Sequence, residues 1–62
     1  MNKLTFSEIS LGLNVYDNDN LKGVIIDIAD IHNIEVKYDN GGSGIYCLDE
    51  DCRKYDPLYK IK

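Results

Sequence analysis

Two cysteines, a lone histidine and a set of acidic turns are the residues of this chain with types suited to chemistry. The stretch "YDNGGSGIYCLDEDC", Tyr38 to Cys52, holds both cysteines, three of the five glycines and an acidic triplet. Structural zinc takes four ligands, usually with cysteines two to four residues apart. Here Cys47 and Cys52 form one Cys-x4-Cys pair, with Asp49 and Asp51 between them and His32 well upstream. On ligand count the spacing predicts neither metal nor cofactor, with Cys47 a small strand residue and Cys52 a loop residue. A zinc-stabilised module stays as the last alternative.

A cysteine nucleophile would need His32 as base and an aspartate to orient it, all within hydrogen-bond reach. His32 lies in "DIHNI", a connection expected at the surface, and so short a chain leaves little cleft for substrate. No catalytic residue is assigned, and a non-enzyme is expected. "GGSG" does not read as a phosphate loop, because a helix must follow to hold the anion and "IYCL" is a strand pattern. "DNDNLKG" departs from a calcium loop, since Leu21 stands at the fifth position and Gly23 comes one residue late. Asn-Gly between alternating segments is a hairpin signal instead.

Size and charge narrow the field further. A chain of 62 residues makes one domain, 1–62. Such a domain buries only about 60% of its unfolded surface. Its net stability is then on the order of 3–5 kcal/mol. Eleven Asp and Glu against seven Lys and Arg leave a net charge of −4, which works against direct binding of nucleic acid. The N-terminal "MNKLTFSEIS" lacks the apolar stretch of a signal peptide, and "GVII" is far too short to cross a bilayer. A cytoplasmic protein with reduced thiols and no membrane contact is expected.

Thr5-Phe6-Ser7-Glu8 fits a capping box and predicts a single turn over 5–10. Period-two alternation then predicts five strands, near 13–17, 22–30, 33–39, 44–48 and 57–61. On this phase Val24, Ile26 and Ile28 share one face, with Ile25, Asp27 and Ala29 on the other. The expected core is Leu13, Val15, Val24, Ile26, Ile28, Ile34, Val36, Leu48, Leu58 and Ile61. Strands this short must curl to bury themselves, which predicts an all-β small barrel with a 3₁₀ turn before the last strand.

The segments "LGLNVYD", "LKGVIIDI", "IEVKYDNGG", "GIYCL" and "DPLYKI" resemble, in their order, the Src-homology-3-like small barrels of the Tudor and KOW types. The resemblance spans roughly 11–61 and sets Gly23-Val24 where the second strand of such barrels bends. It implies a binding module. The chain has no tryptophan, so recognition of proline-rich ligands does not carry over. A Tudor-type aromatic cage would draw on Tyr16, Tyr38, Tyr46, Tyr55 and Tyr59.

Five tyrosines exceed what so small a core needs, and tyrosine suits interfaces because it offers area at low entropic cost. The expected function is non-catalytic binding of another protein through Tyr16, Tyr46 and Tyr55 beside the acidic turns at Asp17, Asp19, Asp49 and Asp51. Self-association through strand edges is a second route to contact. The alternative function is that of a small phage or mobile-element inhibitor, acting on a basic nucleic-acid-processing or defence protein.

Overall fold

The computed structural model describes residues 3–61. Five strands lie where the alternation predicts them: β1 (Asn14–Tyr16), β2 (Lys22–Asp30), β3 (Asn33–Tyr38), β4 (Ser43–Tyr46) and β5 (Tyr59–Lys60). Two 3₁₀ turns, Phe6–Glu8 and Cys52–Lys54, are the other regular elements. All strand pairs are antiparallel, in the order β4-β3-β2-β1-β5. Consecutive strands are thus neighbours until β5 returns to β1. Among the described residues no ladder joins β4 to β5, so the sheet is open where a closed barrel was expected.

Local chemistry explains the connections. At the first 3₁₀ turn the Glu8 carboxylate accepts the Thr5 backbone N–H at 3.0 Å and the Thr5 hydroxyl at 2.8 Å. Three aspartates each close their own turn. Asp17 Oδ1 accepts the N–H groups of Asp19 and Leu21, both at 2.8 Å. Asp30 Oδ1 accepts the His32 N–H at 2.8 Å and the Asn33 side-chain amide at 2.9 Å. Asp49 Oδ1 accepts the N–H of Asp51 at 2.9 Å and of Cys52 at 3.2 Å. This is the Asx habit that makes aspartate a turn former. In the β3–β4 hairpin Gly41 takes a φ of +91°, a value glycine adopts without steric cost.

One face of the sheet carries the core: Val15, Ile25, Ile34, Val36 and Tyr46. Leu4, Leu48 and Leu58 cover it from segments outside the strands. The N-terminal segment lies along β5, with Leu4 N–H donating to the Leu58 carbonyl at 2.8 Å. Leu4 therefore belongs to the core, although the alternation did not mark it. Its sequence signal is a hydrophobic staple: Leu4 precedes the cap residue Thr5, Ile9 follows one turn later, and both join the cluster.

The phase of β2 needs correction. Ile25 is buried, whereas Ile26, expected inside, is 45% exposed and Val24 is only half-buried. The reason is a bulge. Ile25 stands opposite Val36 and Asp27 opposite Glu35, so Ile26 is an extra residue on β2. A bulge shifts the period-two count by one. Before it the odd positions Gly23 and Ile25 face the core; after it Ile28 does, opposite Ile34. Leu13 packs half-buried against the core and Ile61 is half-buried.

Candidate metal centre

The end of the sheet where β2 turns into β3 gathers the groups that the spacing had set apart. Leu48 organises it. Its side chain is buried and its N–H donates to the Ile31 carbonyl at 2.8 Å, clamping the strand exit to the β2–β3 turn. In extended chain, successive side chains point to opposite sides. With Leu48 inward, its neighbours Cys47 and Asp49 turn to the other side, where His32 stands. His32 Nδ1 lies 3.1 Å from Cys47 Sγ and 4.0 Å from Asp49 Oδ2. One ligand atom from each of the three residues falls within 4.8 Å of the other two. The fold therefore brings the histidine beside Cys47.

Cys52, opening the second 3₁₀ turn, brings a fourth group. Its thiol lies outside the three-residue set but neighbours Cys47, whose sulfur also lies beside the Asp49 backbone and is contacted by His32 Nδ1. Together these contacts hold the Cys47 thiol below its ordinary range, the Cys52 bond contributing most. The same bond, with desolvation and the negative charge of Cys47 and Asp49, pushes Cys52 up to about 11. His32 is raised, first by its bond to Cys47 and also by Asp49 and Asp30. Asp49 is lowered, first by the Cys52 N–H. The two thiols are thus shifted in opposite directions, Cys47 down and Cys52 up.

A direct consequence is unequal reactivity, because the thiolate is the nucleophile. Iodoacetamide is expected to alkylate Cys47 about tenfold or more ahead of Cys52, after allowing for the lower intrinsic nucleophilicity of a less basic thiolate. The Cys47 rate should rise with pH through a midpoint below that of a free cysteine. Peptide mass spectrometry of a time course across pH measures both, and equal rates at the two cysteines would refute the asymmetry. His32→Ala should narrow the gap.

The other candidate residues are dispersed. Tyr46 is only 6% exposed and belongs to the core, so it drops out of the contact surface. Its ring meets that of Tyr38 edge-on, with centroids 6.4 Å apart. Tyr55 is 84% exposed. Tyr16 pairs directly with Tyr59 on β5 and with Lys22 on β2. Its neighbour Val15 is fully buried, so Tyr16, Tyr59 and Lys22 share the outer face. The Tyr59 hydroxyl donates to Asn18 Oδ1 at 3.2 Å, linking this row to the Asp17–Asn20 turn. Asp19 and Asp51 are exposed, while Asp17 and Asp49 are half-buried and commit one oxygen each to their turns.

Among the described residues no helix is long and apolar enough to cross a membrane, and no pocket is found. No protein family, no curated protein and no solved structure matches the chain.

Proposed function

We propose that this protein is a non-catalytic, cytoplasmic binding module that engages another protein through Tyr16, Tyr55 and the neighbouring Tyr59, beside the acidic turn carrying Asp17 and Asp19. The observation that carries the reading is the outer-face row Lys22–Tyr16–Tyr59, tied to that turn by the Tyr59–Asn18 hydrogen bond. Aromatic side chains already held by a strand ladder lose little freedom on binding, which is what makes tyrosine effective at the centre of interfaces. With the function goes the fold: a Src-homology-3-like arrangement. The meander of four strands, the bulged long β2, the 3₁₀ turn between β4 and β5 and the return of β5 to β1 support it.

The test compares proteins captured from lysate by wild type and by Tyr16→Ala and Tyr55→Ala, at low and moderate salt. Far-ultraviolet circular dichroism should show both variants folded. Replacing an anchoring tyrosine is expected to weaken the true partner by tenfold or more, the range of interface hot spots. A partner indifferent to both changes refutes the chosen surface. One that is held only at low salt and released by Asp19→Asn or Asp51→Asn would point to the acidic inhibitor, whose attraction salt screens.

A further inference from the structure

We infer that His32, Cys47, Asp49 and Cys52 form a binding site for a divalent transition metal of the zinc class. The site is independent of the tyrosine surface.

The donor set argues first. One imidazole, two thiols and one carboxylate match the nitrogen, sulfur and oxygen ligands of zinc, whereas magnesium and calcium sites are built from oxygen. Geometry argues second. Tetrahedral zinc with bonds of about 2.0–2.3 Å sets its ligand atoms roughly 3.3–3.8 Å apart. The separations of 3.1 Å from His32 Nδ1 to Cys47 Sγ and 4.0 Å to Asp49 Oδ2 bracket that range. Side-chain adjustments of about half an ångström would admit the ion. Cys52, which opens the turn after Asp49 and lies outside the three-residue set, would complete the four ligands by turning its side chain toward Cys47.

The surroundings hold these donors in place, as outer-shell contacts do in metal sites. Asp49 commits Oδ1 to the N–H groups of Asp51 and Cys52, which leaves Oδ2 facing His32. Asp30 fixes the backbone of His32 through its N–H, and Leu48 anchors the opposite side to Ile31. An entry path exists, since the side chains of His32 and Asp49 are 59% and 37% exposed. The ion would tie the β2–β3 turn to the loop that follows β4. The core is built from Leu4, Val15, Ile25, Ile34, Val36, Tyr46, Leu48 and Leu58, none of them a ligand, so the metal adds stability to a chain that folds without it.

The experiment titrates the reduced, chelator-stripped protein with cobalt(II), then with zinc. One equivalent of cobalt should produce the visible bands of a tetrahedral site and an ultraviolet sulfur-to-cobalt charge-transfer band, both abolished by zinc. Zinc should raise the melting temperature, and a chelator should reverse the rise without changing the far-ultraviolet spectrum. Cys47→Ser and His32→Ala are each expected to weaken binding by more than about 100-fold, beyond the usual cost of losing an outer-shell partner. Cys52→Ser should lower both the affinity and the charge-transfer intensity. Glu50→Gln, an exposed neighbour outside the cluster, should bind as wild type. Folded wild type that shows no sulfur-to-cobalt band, or a Cys47→Ser variant that binds as tightly as wild type, would overturn the site.

Discussion

Ile25→Ala is expected to cost about 2–5 kcal/mol, while the same change one residue later, Ile26→Ala, costs under about 1 kcal/mol. Ile25 is 1% exposed and packs in the central cluster; Ile26 is 45% exposed on the bulge. Truncating a buried isoleucine loses its transfer free energy and leaves a cavity that the neighbours fill only in part. Against a total on the order of 3–5 kcal/mol for a core this small, the first variant should be largely unfolded or close to it. The second loses little more than strand propensity. Urea denaturation followed by circular dichroism measures both. The contrast tests the register of the longest strand, because simple alternation predicts the opposite order. Equal costs, or a larger cost at Ile26, would mean that the bulge is elsewhere.

Gly23→Ala should destabilise by about 1–3 kcal/mol, the range for overfilling a packed site. A Cβ at this position would lie 2.7 Å from Val36 Cγ1 and 2.9 Å from the Lys37 carbonyl oxygen, both closer than real contacts allow. The valine methyl can move, but the carbonyl belongs to the β3 backbone and cannot shift without disturbing the ladder. Alanine does restrict the unfolded chain, which normally favours it by ~0.4–1 kcal/mol, and the clash outweighs that gain. Gly44 is the control. A Cβ there would meet nothing nearer than 3.4 Å, from the Tyr46 ring, so Gly44→Ala should be much milder. Combining Gly23→Ala with Val36→Ala should cost less than the sum of the two, since one clash is removed, yet more than Val36→Ala alone. Thermal melts of the four variants decide it, and a Gly23→Ala protein as stable as wild type would contradict the close approach of β2 to β3.

Much of this protein was determined by local sequence alone. Strand positions follow from alternating β-branched residues, whose side chains suit a pleated surface. The turns follow from Asp17, Asp30 and Asp49, which bond their own backbone, and from Gly41, which accepts positive φ. Val15, Ile34, Val36 and Leu48 were legible as core because each sits in a segment whose phase is unbroken, whereas Leu58 is buried beside an equally buried Pro57. Ile25 was not, because a bulge is the response of two paired strands to each other and leaves no mark in one strand's pattern. Tyr46 reads equally well as surface or core, and the choice was made by Tyr38 and Ile34 beside it. The cluster at the sheet's end was invisible for a related reason. Cys47 and Asp49 come together with His32 only because Leu48 is drawn into the core and its backbone is bonded to Ile31. Sequence spacing fixes which residues can meet within a turn, whereas only burial of the residue between them decides which side chains meet across the fold.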